Sequence, residues 1–275
     1  MRLFFCDYMQ NLIVIKLGGS SITKKADNKF EMNEEILKQS AVELASVLKK
    51  NPKLKIALVC GVGPFGHTNV KEYDLNNGIK TKRQEEGTQK TIQDCDFVAD
   101  KTIEALEKCG LKTEHVPGYL VCRQDNKKVV SFDVEPYKEA LGEGKIPLTT
   151  GNMVKDRILK WSPMSGDVVV AQLCKQLRPD KVIMGTDVEG IFTADPKIDK
   201  KAELIERITK ENVEEVLEKA GESKSVDVTG GMKGKLEKLA QTLDGVPAEI
   251  FNLLKEGNLE KVLEGKEIKS TKLLL

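Results

Sequence analysis

The chain has 275 residues, of which 40% are hydrophobic and 32% are charged. This composition supports a sizeable core and excludes a generally disordered protein. Lys and Arg together number 44 against 43 Asp and Glu, so the net charge of +1 gives no support to a nucleic-acid or membrane-surface protein. No apolar run approaches the ~18 residues that a membrane-spanning helix requires.

The cysteines and histidines are few and scattered. There are 6 cysteines and 2 histidines, and the sequence contains no Cys-x-x-Cys pair. A structural zinc site or a disulfide scaffold is therefore disfavoured, and a reducing cytoplasm is the expected compartment.

The segment before the first strand has two interpretations, which stay open. Residues 1–11 are expected to form an N-terminal extension, and Met9 is a candidate native start just before that strand. The apolar stretch at its beginning is too short for the core of a signal peptide. The alternative is an edge segment that packs on the sheet.

From residue 12 onward, strand-like apolar runs alternate with longer amphipathic segments. Alternation of this kind favours right-handed crossovers and a largely parallel sheet. We therefore predict one α/β domain over residues 1–275, a three-layer αβα sandwich with a mainly parallel open sheet. Strands are predicted at Leu12–Leu17, Leu54–Cys60, Lys145–Thr150, Lys181–Thr186, Ala248–Leu253 and Thr271–Leu275. Helices are predicted at 33–50, 83–109, Gly166–Leu177, 210–219 and 231–243, and polar hairpins near Asp125–Lys128 and Val154–Trp161.

Glycines follow several of these strands. Gly18-Gly19-Ser20 follows the first strand, Gly61-Val62-Gly63 the second, and Gly151 a later one. Ligands of open α/β sheets bind beyond the carboxyl ends of the strands, where glycines let backbone amides approach a phosphate. The sequence has no G-x-x-x-x-G-K-[ST] loop. Residues 61–66 match the dinucleotide spacing, but a proline stands where a helix should begin.

Five segments in combination are more specific than any glycine cluster. They are Lys16-Leu17-Gly18-Gly19-Ser20 with Lys25 nine residues after Lys16, Gly61-Val62-Gly63-Pro64-Phe65-Gly66-His67, Ser165-Gly166-Asp167, Thr186-Asp187-Val188-Glu189-Gly190, and Asp227-Val228-Thr229-Gly230-Gly231-Met232 before Lys233 and Lys235. This set resembles the amino acid kinase superfamily. Within it, the histidine segment together with DVTGGM is most similar to the isopentenyl phosphate kinases. The resemblance runs from about Leu12 to Leu275.

The resemblance implies the amino acid kinase fold and ATP-dependent phosphorylation of isopentenyl phosphate to isopentenyl diphosphate. It implies an acceptor site in the part up to about residue 165 and a nucleotide site in residues 166–275. The expected catalytic residues are Lys16, Lys25, Lys235 and Asp167. The lysines would hold two polyanions together during in-line transfer. Asp167 would organise the lysines, although an acid at a helix start is often only a cap. The expected ATP-binding residues are Lys16, Gly18, Gly19, Ser20, Gly63, Asp187, Gly231 and Lys235.

On the acceptor side, the resemblance implies contacts from Val62, His67 and Gly151. His67 would donate a hydrogen bond to the phosphate that the acceptor already carries; the alternative is a capping or surface histidine. The acceptor's apolar tail is expected near Ile92, Phe97, Val98 and Val62, each of which could equally be an ordinary core position. His115 has no comparable context and is expected to be structural.

Mg²⁺ is expected as a companion of the ATP phosphates, with no dedicated metal ligand from the protein. The resemblance further suggests a homodimer, and no nucleic-acid or membrane partner is expected.

The sequence departs from the family pattern where the acceptor should bind. Val62 and Pro64 replace a small residue and a serine, Asn152 stands in place of an aspartate, and Val168 follows Ser165-Gly166-Asp167. Other acceptors therefore stay open: a different phosphate or phosphonate, as in fosfomycin kinases, or carbamate or an amino acid. A nucleotide sensor without turnover is disfavoured because the lysines and Asp167 are retained.

Overall fold

The computed structural model describes residues 10–26, 29–216 and 238–275. The candidate extension up to Met9 and the segment Asp227–Lys235 lie outside the described residues. Predictions about Gly231 and Lys235 therefore remain predictions.

Within the described residues, eight strands form the main sheet. Their order across the sheet is β12-β14-β13-β11-β1-β4-β8-β5. All neighbours are parallel except β13 and β14. The strands are β1 (Leu12–Leu17), β4 (Lys55–Cys60), β5 (Thr113–His115), β8 (Ile146–Thr150), β11 (Lys181–Thr186), β12 (Arg207–Thr209), β13 (Ala248–Asn252) and β14 (Ser270–Leu274).

Two helical layers cover the sheet and bury one apolar cluster on each face. Helices α6 and α7 pack on one face, and α2, α4 and α8 pack on the other. This arrangement confirms the predicted three-layer sandwich with a mainly parallel sheet. The helices are α1 (Gly19–Ile22), α2 (Glu34–Lys50), α3 (Pro64–Glu72), α4 (Lys82–Lys108), α5 (Gly118–Val121), α6 (Glu135–Gly142), α7 (Gly166–Leu177) and α8 (Asn258–Leu263).

A second sheet contains the two predicted hairpins. It consists of β6 (Cys122–Asp125), β7 (Lys128–Phe132), β9 (Asn152–Asp156) and β10 (Lys160–Met164), in the order β10-β9-β6-β7. The carboxylate of Asp156 joins the two hairpin turns. It accepts backbone N–H groups from Asn126, Lys127, Ile158 and Leu159, and the hydroxyl of Ser162, all at 2.8–3.0 Å.

Burial alone would raise the pKa of Asp156, but these hydrogen bonds to the ionised form outweigh it and lower the pKa to about 2. The turn of each hairpin is thereby held by one buried charge.

The third helix corrects one expectation. Pro64 was expected to disfavour a helix after Gly63, yet α3 begins at Pro64. Proline is well tolerated at the first helical position because its missing N–H would have no partner inside the helix there. The sequence also gave no prediction of the small hairpin of β2 (Thr23–Ala26) and β3 (Lys29–Met32), or of α6.

The other boundaries agree closely with the sequence patterns. The predicted strands lie within one residue of those observed, and α7 and β11 have the predicted bounds. In the described parts of the last two predicted helices, residues 213–216 and 238–243 are helical, whereas residues 210–212 form a turn. None of the described helices combines the length and the apolar character needed to cross a membrane.

Candidate functional site

Lys16 lies at the carboxyl end of the central strand β1, where it meets the start of α7. Its Nζ lies 2.5 Å from Oδ1 of Asp167, the second residue of that helix. The side chains of Lys16 and Asp167 are 22% and 34% exposed. The helix cap is Ser165, whose hydroxyl accepts the N–H of Val168 at 3.4 Å. Asp167 is therefore not the cap, and its carboxylate is left to hold a cation beside the positive end of the helix.

The loops after β1 and β4 touch through their backbones. A Cβ atom added at Gly19 would lie 2.4 Å from the nitrogen of Gly63, and one added at Gly61 would lie 2.4 Å from the nitrogen of Gly19. Gly63 also has a φ of +51°, which L-amino acids rarely adopt. Thr23 supports the contact by donating its hydroxyl to the carbonyl of Gly19 at 2.6 Å. Only glycine permits this approach.

Asp187 follows β11 and ties it to the loop after β1. The hydroxyl of Ser20 donates to its Oδ1 at 2.9 Å, and Lys197 forms an ion pair with its Oδ2. Partial burial raises the pKa of Asp187, but the bonds from Lys197 and Ser20 outweigh burial and lower it. The N–H of Gly18 donates to the carbonyl of Gly185 at 2.8 Å, which fixes the same loop against β11.

Gly151 is buried behind the start of α7. A Cβ atom at this position would lie 2.9 Å from the nitrogen of Gly166 and 2.9 Å from the carbonyl oxygen of Met164. Gly166 in turn lies close to Lys16, since a Cβ there would be 3.8 Å from Lys16 Cε. The end of β8 is thus packed against the group that holds Lys16.

His67 lies in the first turns of α3 and is exposed to solvent. Its backbone N–H donates to the carbonyl of Gly63 at 3.1 Å. Its imidazole forms no hydrogen bond with any part of the chain that the structure describes. The side chain is therefore not a cap there, and both ring nitrogens can face a ligand.

The backbone of Lys25 lies in β2, paired with Phe30. The position of its side chain is outside the described part, so its predicted role remains a prediction. At the carboxyl ends of the central strands, the structure thus brings together Lys16, Gly18, Gly19, Ser20, Gly63, Gly151, Asp167 and Asp187, with Val62 and His67 beside Gly63.

The residues predicted to line a pocket for the acceptor's apolar tail lie in different packing environments. Val98 is fully buried in the core between sheet and helices, and Val62 packs in the same cluster. Ile92 packs instead in a small cluster with Leu75, Ile79 and Met153. Phe97 is 43% exposed and contacts the ring of Phe65 at a centroid distance of 5.7 Å.

Next to Gly151, the side chains of Asp96, Tyr119 and Asn152 form a hydrogen-bonded group that the sequence analysis did not predict. Asn152 donates to Oδ1 of Asp96 at 3.1 Å, and the hydroxyl of Tyr119 donates to Oδ2 at 3.0 Å. Burial raises the pKa of Asp96 despite these bonds, and burial together with Asp96 raises that of Tyr119 to about 12. The only signal was Asn152 itself, at a position where the family pattern has an aspartate.

Over the described ranges, no group of three or more His, Cys, Asp or Glu side chains is arranged to hold a metal ion. Both oxygens of Asp187, the acid nearest the glycine loop, are already bonded to protein groups.

Comparisons with known proteins agree on one family. The model of the amino acid kinase family matches residues 11–252. The isopentenyl phosphate kinase of Methanothermobacter thermautotrophicus is 30% identical over 269 residues, covering 95% of this chain and 98% of that protein. The enzyme of the same name from Methanocaldococcus jannaschii is 29% identical over 271 residues, covering 95% and 98%. A solved isopentenyl phosphate kinase structure superimposes with a TM-score of 0.80 at 28% identity, covering 95% of this chain and 99% of that chain.

Proposed function

The chain belongs to the amino acid kinase family, and we propose that it is an ATP-dependent kinase that converts isopentenyl phosphate to isopentenyl diphosphate. The observation that carries this proposal is the ion pair of Lys16 and Asp167, which lies beside the glycine loops at the carboxyl ends of the central strands. Relatives of that activity match this chain over nearly its full length, which supports the choice of acceptor.

The reaction needs positioning and charge neutralisation more than acid–base chemistry. An oxygen of the acceptor's phosphate attacks the γ-phosphorus of ATP. The bond between that phosphorus and the β–γ bridging oxygen breaks, and its electron pair leaves with ADP. Because the attacking oxygen is already anionic, no general base is required.

Lys16 is the cation that the proposal places at the transferring phosphoryl group. Its ammonium is tethered by one carboxylate and stays partly exposed, so it can donate its remaining protons to phosphate oxygens. Asp167 orients Lys16 without contacting substrate. Lys25 and Lys235 are proposed as the further cations, on the nucleotide side and across the transferring group.

On the nucleotide side, the backbone amides of Gly18, Gly19 and Gly63 would bind the donor phosphates. Their support is the close backbone contact of the two loops, which leaves no side chain in the way. Ser20, Asp187 and Gly231 complete the proposed nucleotide site. Asp187 would act mainly by fixing Ser20 and Lys197.

On the acceptor side, we assign His67 to the acceptor's phosphate, with Val62 and Gly151 beside it. The support is an exposed imidazole with free hydrogen-bonding capacity, one turn from Gly63. A neutral imidazole donates one hydrogen bond to a phosphate oxygen, and an imidazolium donates two and adds a positive charge.

Several companion proposals follow. Mg²⁺ would be held chiefly by the ATP phosphates and water, since Asp187 has no free oxygen, and would neutralise charge on the transferring group. The chain would act as one domain, with the acceptor site in residues up to about 165 and the nucleotide site in residues 166–275. A homodimer and a cytoplasmic location are proposed as well, the latter supported by the five described cysteines, which are all free.

The test is an ATP-consumption screen with isopentenyl phosphate, dimethylallyl phosphate, fosfomycin, carbamate and amino acids. We expect the highest kcat/KM with isopentenyl phosphate. A higher value with fosfomycin, carbamate or an amino acid would retain the kinase chemistry and overturn the acceptor. Absence of ATP turnover with every acceptor would favour a nucleotide sensor.

A further inference from the structure

A basic cleft lies at the opposite end of the parallel strands from the Lys16 site. It opens where β11 and β13 begin and β14 ends, beside Arg207 of β12, and its volume is about 240 Å³. Its charged lining consists of Lys181, Arg207, Lys266, Lys272 and Glu249. Sites for drug-sized ligands occupy roughly 300–1,000 Å³, so this cleft suits a smaller molecule.

The carboxylate in the cleft, Glu249, is already neutralised. It is 3% exposed, and its Oε2 lies 2.5 Å from Nζ of Lys181. Its Oε1 accepts the hydroxyl of Ser270 at 2.7 Å. Glu249 therefore balances Lys181 and leaves no oxygen for the remaining cations.

Arg207 and Lys272 are directly paired across β12 and β14. Side chains of directly paired residues project from the same face of a sheet, and like charges at such positions repel. Both side chains are exposed, and neither forms an ion pair with the residues described. Lys266 differs, because Glu264 lies 2.5 Å from it. Lys272 is also paired with Glu249 across β13 and β14, but both oxygens of that carboxylate are already bonded to Lys181 and Ser270. Among the described residues, the cleft therefore has more positive than negative charge.

We propose that this cleft is a second anion site, which binds a phosphate or diphosphate group. A guanidinium presents paired N–H donors that match phosphate oxygens, and an adjacent ammonium adds a point charge. Two adjacent cations match a ligand with at least two negative charges better than a carboxylate. The inference is independent of the proposed reaction, because the two sites lie at opposite ends of the parallel strands.

Equilibrium dialysis with radiolabelled inorganic pyrophosphate tests the proposal on the full chain. We expect Arg207→Gln/Lys272→Gln to bind one equivalent fewer than the wild type. A matched control, Lys38→Gln/Lys53→Gln, removes the same charge from exposed positions elsewhere and should bind as the wild type does. Equal stoichiometry in the wild type and the cleft variant would overturn the site, and so would an equal loss in the control.

A second dialysis experiment uses inorganic phosphate in place of pyrophosphate and identifies the preferred ligand. Saturation of the cleft by phosphate at lower concentration than pyrophosphate would assign it to a single phosphate group. A single change, Lys272→Gln, should weaken pyrophosphate binding at this site about tenfold. Because the paired charges repel, the double variant should melt no lower than the wild type without ligand. A lower melting temperature would contradict the unbalanced pair.

Discussion

Two aspartates, Asp167 and Asp156, stand in contrasting surroundings. Asp156 is buried and accepts five hydrogen bonds from four backbone amides and a hydroxyl. Asp167 has a side chain that is 34% exposed and, among the described residues, one ion-pair partner, Lys16. The carboxylate of Asp156 has its hydrogen-bonding capacity filled by the protein, whereas that of Asp167 holds a cation at a solvent-accessible position.

The contrast separates a structural charge from one available for chemistry. A buried charge is stable only when its hydrogen-bonding capacity is used, which leaves nothing for a ligand. Lys16, held at one point by Asp167, retains ammonium protons that can bind a substrate. Free capacity at a defined position therefore marks the candidate site better than the presence of charge.

The largest effect is expected on removing that cation. Lys16→Ala should lower kcat by about 10²–10³, because one electrostatic stabiliser of the transferring group is lost. Steady-state kinetics measures the loss, and the melting temperature should stay close to that of the wild type. Lys53→Ala, an exposed lysine elsewhere, is the control. On the resemblance alone, Lys235→Ala should show a loss like that of Lys16→Ala, and near-normal turnover in either variant would exclude the proposed mechanism.

His67→Ala removes a second side chain whose hydrogen-bonding groups are not used by the described part of the protein. Loss of a hydrogen bond to a charged phosphate costs about 1.5–3 kcal/mol, which at its upper end is roughly a hundredfold in kcat/KM for isopentenyl phosphate. The Michaelis constant for ATP should change little, and His67→Gln should recover part of the loss. If His67 were only structural, melting temperature and all kinetic constants would fall together.

Asp156→Asn removes the charge from the fully hydrogen-bonded carboxylate. We expect a loss of about 1–3 kcal/mol in the free energy of unfolding, because several amides lose a charged acceptor. The folded pKa of about 2 lies below the ordinary 3.8. The stabilisation is therefore full above about pH 4 and is lost as the pH falls toward 2. Denaturant titrations at several pH values should show the wild type and variant converging in acid, and a gap independent of pH would contradict the assignment.

The smallest effect is expected for Ser165→Ala, which removes the cap of the helix that carries Asp167. Loss of such a cap costs about 0.5–2 kcal/mol of stability, and we expect the low end of that range because the bond to Ser165 is long at 3.4 Å. Melting temperature and kcat should fall slightly. A loss of kcat as large as that of Lys16→Ala would mean that Ser165 contacts substrate.

Much of the fold could be predicted because parallel strands covered on both faces must be continuously apolar. The run Leu12–Leu17 and the run Lys181–Thr186 carry that signal directly. The hairpin of β2 and β3 could not be predicted, because its sequence is polar and short. Pro64 was misjudged because the first turn of a helix tolerates what later turns exclude.

The site was predictable as a set of motifs but not as a network. Lys16 and Asp167 are 151 positions apart, and nothing in either segment alone indicates their contact. The pairing of Asp187 with Lys197 and the bonds of Asp96 with Tyr119 and Asn152 depend on tertiary packing. The functional residues at the strand ends could be identified from the sequence, whereas the side chains that they contact could not.

The position of β1 in the sheet bears on synthesis of the chain. Its partner β4 follows soon after, but its other partner, β11, pairs Lys16 with Met184. At about 5–20 residues per second, a ribosome adds the roughly 170 intervening residues in about 10–30 s. Throughout that interval this apolar strand of the nascent chain has one open edge, which can pair with other chains. Translation speed and chaperone supply should therefore limit the yield of this protein more strongly than its final stability does.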